Sequence, residues 1–408
     1  MPGVFAFVRG GQKCYNQDSD FAGGMDMRCD RFFETIDMLN DRYISVWEDV
    51  CNIESPTADK MRVDEVGEYF IRLAGEKGWQ AEKMELANAG NPICITLNPD
   101  AQGEMVVFSG HIDTVHPVGI FGTPAVRRDD TCIYGPGVID CKGGVVASFM
   151  AMDALERCGF DKRPVRLIIQ TDEETGSKTS GKQTVAYMIE KSKGAIAFLN
   201  AEGIDGNSAV IGRKGILRMR LIVRGRSAHS AWLEKGANAI AEAAHKIISL
   251  EKMKDPRGLT CNCGLIQGGT VANTVPDECS FVADIRFADP EQHEEALRIL
   301  EETAAHSEIE GCTCALEQVS YRPSMPLVER NELLYERMNE IFVENGLPTL
   351  GVRISRGGSD AAYITEAGIP CVDSVGVEGG GVHSPGEFAY IASLAECAKR
   401  LAAITVNR

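Results

Sequence analysis

The sequence lacks a run of about 20 apolar residues, which is the length that a helix needs to cross a bilayer. Its first residues also lack the long apolar segment and small-residue cleavage site of a secretory signal peptide. Basic residues are too few to balance the acidic ones, and the formal net charge is -17. Such a chain offers no basic face to nucleic acid and no attraction to an anionic membrane. We therefore expect a cytoplasmic protein with neither nucleic acid nor membrane as its partner.

Cysteine is not scarce, yet the 14 cysteines do not form the dense, regular framework of a small secreted domain. Two C-x-C pairs occur, Cys261 with Cys263 and Cys312 with Cys314, but no second pair stands at the spacing of a zinc ribbon. Free thiols in a reducing compartment are the simplest interpretation.

The length of 408 residues exceeds what one hydrophobic core usually supports, so we expect more than one domain. Apolar residues make up 44% and charged residues 25%, which is typical of a soluble globular enzyme. Residues 1–28 have no hydrophobic period and are expected to form a flexible tail. The remainder predicts a discontinuous catalytic domain, residues 29–213 and 326–408, interrupted by an inserted domain at residues 214–325.

Short apolar strands and helices alternate through the predicted catalytic domain. This alternation predicts an α/β fold with a mixed, mostly parallel sheet that is covered by helices. The predicted strands are 104–109, 165–171 and 195–200, joined later by 352–355 and 371–375. Within residues 214–325 the predicted order is β-α-β-β-α-β, which is a ferredoxin-like unit.

Acidic and imidazole side chains gather at the ends of these strands. The segment SGHIDTV places His111 and Asp113 directly after the strand 104–109. A histidine ring nitrogen is a natural zinc ligand, and Asp113 could orient the ring through its other nitrogen. A lone H-x-D pair is commonplace, so the position after a buried strand gives this one its weight.

Two further acidic segments have the same relation to the predicted sheet. In GPGVIDCKGG, glycines on both sides of Asp140 let the backbone bend sharply, and the carboxylate could offer one oxygen to each of two metals. In QTDEETG, three acids that include Glu173 and Glu174 crowd the end of a strand. Carboxylates this close repel each other unless a cation lies among them.

The last two segments complete a possible metal centre. Glu202 directly follows the strand 195–200, and we prefer it to Asp205, which lies three residues farther on. His383 lies on the glycine-rich loop GGGVHSPGE. Each segment alone would be an ordinary solvated group, but five such segments in this arrangement favour a metal site.

Together these motifs resemble the M20 family of zinc exopeptidases and deacylases, and most of all its glutamate carboxypeptidase branch. The resemblance covers nearly everything after residue 30. It implies two zinc ions, or Co²⁺ or Mn²⁺ in their place, bridged by Asp140 and a water, with a cis peptide bond after that residue. It assigns His111 and Glu202 to one ion and Glu174 and His383 to the other. Glu173 would be the general base, with Asp113 supporting the catalytic site.

The resemblance also extends to the predicted inserted domain. His229, in the segment SAHS, would reach across a homodimer formed through this domain into the partner's active site. Asn273 and Arg286 look like contacts for a substrate carboxylate, and Gly358 would let the backbone approach the substrate. The alternative for His229 is an ordinary solvated histidine, and the other three could be purely structural. Four other histidines have no metal-like context: His116, His245, His293 and His306.

The resemblance implies a di-zinc hydrolase that cleaves the amide bond of a small peptide or N-acyl amino acid with a free carboxylate. A deacylase or desuccinylase of the same family is the close alternative, because substrate choice depends on pocket shape. An inactive binding homologue is disfavoured, since every expected ligand and Glu173 are present. A dinucleotide-binding enzyme is also disfavoured, because GPGVID is not the G-x-G-x-x-G fingerprint.

Overall fold

The computed structural model describes residues 29–204 and 206–408. The predicted tail, residues 1–28, and Asp205, the alternative to Glu202, lie outside the described residues. The α-helices of the described part are α1 (Asp30–Asn52), α2 (Lys60–Lys77), α3 (Lys142–Arg157), α4 (Gln183–Ser192), α5 (Ala239–Leu250), α6 (Pro290–Ala305), α7 (Glu329–Glu344), α8 (Ala361–Glu366) and α9 (Ala392–Asn407).

The strands of the same part vary in length from two to ten residues. They are β1 (Gln80–Lys83), β2 (Ile93–Leu97), β3 (Val106–His111), β4 (Arg127–Arg128), β5 (Cys132–Tyr134), β6 (Val165–Gln170), β7 (Ala197–Asn200), β8 (Ser208–Arg213), β9 (Gly215–Arg224), β10 (Ala228–His229), β11 (Thr260–Gly268), β12 (Thr274–Val275), β13 (Glu278–Phe287), β14 (Thr313–Arg322), β15 (Gly351–Ser355), β16 (Cys371–Val372), β17 (Gly379–Gly380) and β18 (Phe388–Tyr390).

The central sheet has the strand order β1-β2-β6-β3-β7-β16. Strands β6, β3, β7 and β16 run parallel to one another, whereas β2 pairs antiparallel with both β1 and β6. Alternate residues of β3 face two helical layers: Phe108 packs in the core of α1, α3 and α9, and Val107 in that of α4 and α8. Burial on both faces explains why the strand begins with three consecutive apolar residues, Val106 to Phe108. The predicted mixed, mostly parallel sheet is confirmed.

The N-terminus of helix α3 packs closely against the segment that follows β7. This is possible because Gly143 and Gly144, in the first turn of the helix, have no side chains. A Cβ atom added at Gly144 would lie 1.9 Å from the carbonyl oxygen of Ala201. At Gly143 it would lie 2.4 Å from the carbonyl oxygen of Val138 and 2.8 Å from the Trp47 ring. This approach brings the segment after β7, which carries Glu202, close to the N-terminus of α3.

A second sheet has the antiparallel order β11-β13-β9-β14. One face of it packs on α5 and α6 around a core of its own, which includes Leu221, Phe281, Ala243 and Leu300. The chain order β9-α5-β11-β13-α6-β14 with this strand order is the ferredoxin-like arrangement that the sequence predicts.

The chain enters and leaves this ferredoxin-like unit side by side. Arg213 and Met325 exchange two backbone hydrogen bonds, with N–O distances of 2.8 and 2.9 Å. These residues lie at the boundaries predicted for the inserted domain. The division of the chain into domains stays a prediction.

One predicted strand joins a different sheet. Segment 371–375 does return to the central sheet, where β16 pairs with β7. The expectation for segment 352–355 is wrong, because β15 pairs in parallel with β8 in a separate two-stranded sheet. The place beside β7 is already taken by β16, and the unpredicted strand β8 offers β15 another edge.

Among residues 29–204 and 206–408, no helix combines the length and the apolar character that crossing a membrane requires.

Candidate metal centre

Parallel strands bring three of the predicted ligand segments to one edge of the central sheet. His111 is the last residue of β3, Glu174 lies in the 3₁₀ turn Glu173–Thr175 after β6, and Glu202 lies two residues beyond β7. In an open α/β sheet, this carboxyl edge is where ligands usually bind. Asp140 reaches the same place from the loop before α3, and His383 from the loop between β17 and β18.

Asp140 lies between two histidines. Its Oδ1 is 3.1 Å from Nε2 of His111, and its Oδ2 is 3.2 Å from Nε2 of His383. The expected cis peptide bond is present between Asp140 and Cys141. Because the two oxygens face different imidazoles, this carboxylate divides the cluster into two halves.

One further carboxylate completes each half. Glu202 Oε1 lies 3.7 Å from Nε2 of His111, and Glu174 Oε2 lies 3.2 Å from Nε2 of His383. Donor atoms of His111, Asp140 and Glu174 all lie within 4.8 Å of one another. The structure thus brings the side chains of all five residues together, and their assignment to two metal ions stays a prediction.

Cys141 adds a neutral thiol, not a thiolate, to this cluster. Its Sγ atom belongs with His111 and Glu202 to a second group of possible ligands within 4.8 Å. It already accepts a hydrogen bond from the backbone N–H of His111 at 3.0 Å. Burial raises the pKa of this thiol well above its usual range, so the neutral form prevails.

The protonation of the cluster reflects crowded acids in a buried place. Burial raises the pKa of Glu202 to about 8 and that of Glu174 to about 7, against the opposing effect of the nearby histidines. Burial would also raise the pKa of Asp140, but hydrogen bonds from His111 and His383 outweigh it and hold this pKa below its usual range. Hydrogen bonds to Asp140 and Glu174 raise the pKa of His383 to about 10. In the absence of a cation, protons would have to supply the positive charge that these acids need.

Asp113 fixes the turn that carries the two glutamates. It is fully buried, and its carboxylate accepts hydrogen bonds from the backbone N–H groups of Glu173 and Glu174 at 3.1 and 3.2 Å. The hydroxyl of Thr57 donates a third hydrogen bond at 2.7 Å. His111 Nδ1 lies 3.0 Å from the backbone oxygen of Asp113 and 3.4 Å from its Oδ1, so the nearer partner is the carbonyl.

Glu173 is held by an arginine that sequence reasoning missed. Arg322, the last residue of β14, contacts Glu173 Oε1 through Nη1 and donates from Nη2 to the Glu173 carbonyl at 2.9 Å. It also lies 3.9 Å from Asp360. The separation of 149 residues between partners leaves no local signal for this contact. The side chain nevertheless joins the ferredoxin-like unit to the loop of the glutamates.

A cleft of about 270 Å³ opens beside the cluster. Gly358 lines it, and its role of letting the backbone approach a substrate stays a prediction. Arg213, which the sequence analysis did not single out, also lines it. Arg213 donates to Asp373 and to Ser374, at 2.6 and 3.2 Å. The lining residues are Asp140, Glu173, Glu174, Glu202, Gly203, Arg213, Arg353, Gly357, Gly358, Ser374, Val382 and His383.

Three predicted residues do not line this cleft within the same chain. His229 and Asn273 are exposed neighbours on the ferredoxin-like unit, where the N–H of Ser230 donates to the Asn273 carbonyl at 2.9 Å. Arg286 lies on β13 and pairs with Asp284 at 2.6 Å. Their predicted roles in another subunit's site, or in substrate binding, stay predictions.

One family model and several known proteins are similar to this chain. The family model described as peptidase family M20/M25/M40 matches residues 107–407. Carboxypeptidase G2 of Pseudomonas sp. (strain RS-16) is 26% identical over 347 residues, which cover 84% of this chain and 83% of that protein. Acetylornithine deacetylase of Myxococcus xanthus is 28% identical over 243 residues, or 55% of this chain and 62% of that protein.

A solved structure shares the fold. It is that of a dinuclear metal-binding peptidase of the M20 family from Bacillus subtilis, which aligns with a TM-score of 0.66 and 19% identity. The alignment covers 91% of this chain and 99% of that chain. At this identity the likeness shows the architecture.

Proposed function

Because this chain belongs to peptidase family M20/M25/M40 and is therefore a hydrolytic enzyme, we propose that it cleaves the amide bond of a small peptide or N-acyl amino acid with a free carboxylate. The observation that carries this proposal is the pair of half-sites around Asp140, whose two oxygens face His111 and His383 at 3.1 and 3.2 Å. One carboxylate with two separate imidazole partners suits a bridge between two metal ions.

The donor set supports zinc in particular. Imidazole nitrogen and carboxylate oxygen are zinc ligands, and the cluster supplies both in each half. Without a cation, burial raises the pKa of Glu202 to about 8, which shows the electrostatic cost of ionising this acid here. We assign one ion to His111, Asp140 and Glu202, and the other to Asp140, Glu174 and His383. Co²⁺ or Mn²⁺ could replace zinc at such sites.

Bound zinc would lower the pKa of a water molecule and polarise the substrate carbonyl. The chain's own residues supply the rest of the mechanism. Glu173, which lines the cleft beside the ligands, accepts the proton of the attacking water and passes it to the leaving nitrogen. Asp113 supports both steps by holding the N–H groups of Glu173 and Glu174.

Recognition of the substrate carboxylate is assigned to Arg286 and Asn273, with Gly358 giving the backbone of the cleft room to approach the substrate. An arginine fork matches a carboxylate in geometry. Since Arg286 and Asn273 do not line the cleft within the chain, this assignment requires closure of the predicted inserted domain or a second subunit.

A homodimer through the inserted domain would provide that second subunit. Strand β11 lies at the edge of its sheet, and Leu265 and Ile266 on it are 69% and 58% exposed. Ile248 of the neighbouring helix α5 is 60% exposed. Exposed apolar groups along this edge of the unit support an interface between subunits. In such a dimer, His229 would act in the partner's active site and stabilise the charge that develops on the carbonyl oxygen.

The deacylase alternative uses the same metals and base, and the similarity to an acetylornithine deacetylase supports it. The test is hydrolysis of a dipeptide panel and of N-acetyl and N-succinyl amino acids by the zinc- or cobalt-loaded protein. We expect turnover of compounds with a free carboxylate. Turnover of dipeptides alone would favour the peptidase and turnover of acyl amino acids alone the deacylase. The absence of turnover on both panels by a fully loaded protein would contradict the proposal and favour an inactive homologue.

A cytoplasmic location is also part of the proposal. The cysteines of the described residues are all free, although many of them are buried. Free thiols suit a reducing compartment.

A further inference from the structure

The loops that carry two proposed metal ligands meet on one buried carboxylate, that of Glu387. Its side chain is 1% exposed. Its Oε1 accepts hydrogen bonds from the backbone N–H groups of Ile139 and Asp140, at 3.1 and 3.2 Å. Glu387 therefore holds the backbone of the proposed bridging residue directly.

The backbone of Glu387 joins the same two loops. Its carbonyl accepts the N–H of Gly135 at 3.3 Å, at the start of the glycine-rich segment before Asp140. Its own N–H donates to the carbonyl of Ser384 at 3.1 Å, next to His383. Glu387 thus contacts both the loop that carries Asp140 and the loop that carries His383.

The remaining oxygen of Glu387 has a partner in a third loop. Oε2 lies 3.0 Å from Nε2 of His116, which is 5% exposed. In the tautomer that carries the proton on Nε2, the imidazole donates to this carboxylate oxygen. The ring packs edge-on against Phe121, with ring centres 4.9 Å apart. His116 follows His111 by five residues, so it ties the segment of that ligand to the other two loops.

We propose that His116 and Glu387 form a positioning pair, which keeps His111, Asp140 and His383 at the spacing that two metal ions require. Neither side chain of the pair belongs to the five-ligand cluster. The inference rests on the proposed function, because it concerns the same metal centre. Partners behind the ligands typically contribute 10- to 100-fold in metal affinity, since they fix the orientation of groups that would otherwise have to be ordered by the metal.

A matched set of variants separates positioning from packing. His116→Phe keeps an aromatic ring against Phe121 but removes the donor, whereas His116→Gln keeps a donor of comparable reach. His306→Ala is the control, because His306 forms a histidine–glutamate contact of similar length with Glu308, at 3.1 Å, but both residues are exposed. Each variant is stripped of metal, and thermal unfolding of one sample checks that the metal-free protein is folded. The zinc dissociation constants are measured on a separate folded sample by competition with a chelator.

We expect His116→Phe to remain folded without metal and to bind at least one zinc about 10- to 100-fold more weakly. The His116→Gln protein should recover most of the affinity, and His306→Ala should match the unaltered protein. Unchanged zinc affinity of folded His116→Phe would overturn the inference. An equal loss in His116→Phe and His116→Gln would also overturn it, because a retained hydrogen-bond donor would then restore no affinity.

If His116→Phe does not fold, Glu387→Gln replaces it in the comparison. The amide oxygen can still accept from Ile139 and Asp140, but the charge is gone, and the zinc affinity should again fall. Affinity equal to that of the unaltered protein would overturn the inference. Failure of the unaltered protein to bind zinc would instead contradict the proposed function, so the two failures can be told apart.

Discussion

The carboxylates of the candidate metal centre differ sharply in what they do, although they lie within a few ångströms of each other. Asp140 faces both histidines, whereas Glu173 faces Arg322 and belongs to neither half of the cluster. This separation agrees with Asp140 as a ligand and Glu173 as the base. The two neighbouring glutamates of the segment QTDEETG therefore have different environments: Glu174 contacts His383, and Glu173 contacts an arginine.

Replacement of Glu173 by glutamine should abolish most turnover and leave the metal content intact. An amide cannot accept the proton of the attacking water, and the loss of a general base usually costs about 10²- to 10⁴-fold in rate. Turnover and zinc content measured on the same sample check this, with the exposed Glu310→Gln as control. Turnover of Glu173→Gln near that of the control would show that another group takes the proton.

Metal affinity should fall as the pH falls from about 8.5 to 6. Burial raises the pKa of Glu202 to about 8 and that of Glu174 to about 7, and hydrogen bonds raise that of His383 to about 10. In the metal-free protein these groups hold protons below their pKa values, and zinc must displace them. Each displaced proton weakens binding by about tenfold per pH unit. Zinc competition at several pH values, corrected for the chelator, should show this slope, and a flat profile would exclude proton displacement.

The sequence predicted that these five residues would meet, because each lies after a strand or in a glycine-rich loop, which are local features. It could not predict Arg322 or the role of His116, since their partners are 149 and 271 residues away. His116 has no spacing typical of a ligand, and its contact arises only when three loops fold together. Long-range partners of this kind leave no period or motif in the sequence.

At the scale of elements, the start of helix α3 is the tightest contact near the site. Gly144→Ala would place a Cβ atom 1.9 Å from the carbonyl oxygen of Ala201. Overpacking of this kind typically costs about 1–3 kcal/mol, and the shift would also move Glu202. We expect a lower free energy of unfolding in urea and a lower zinc content.

Gly75→Ala in helix α2 is the matched control for this substitution. An added Cβ atom at Gly75 meets no atom within 4 Å, so helix propensity alone should raise stability by about 0.5–1 kcal/mol. Equal changes in the free energy of unfolding and in zinc content for the two substitutions would mean that the backbone near Ala201 can shift at little cost. The close approach of α3 would then not position Glu202.

Most long elements were predictable because their hydrophobic periods are strong. The βαββαβ order of the ferredoxin-like unit was predicted from the alternation of strand and helix segments. Strand β8 was not predicted. Its pairing with β15 could not be predicted from the residues of either strand. Which edge a short strand joins depends on which edges other strands leave open, and this is decided by the whole sheet.

At the scale of the whole molecule, the predicted dimer can be tested by mixing inactive variants. His229→Ala should lack the group that acts in the partner's site, and Glu173→Gln should lack the base in its own site. A mixed dimer would contain one complete site, made of Glu173 from one chain and His229 from the other. Subunits exchanged at random should recover about one quarter of the unaltered activity. No recovery in dimers shown to have exchanged would contradict action across the interface, and a monomer in sedimentation would contradict the dimer itself.

The most direct test of the account is anomalous diffraction at the zinc edge from crystals grown with zinc. We predict two peaks about 3.5–4 Å apart, with one oxygen of Asp140 directed at each. His111 and Glu202 should complete the first, and Glu174 and His383 the second. A map with no zinc among these residues, or a single ion that leaves one half of the cluster without metal, would contradict the central claim.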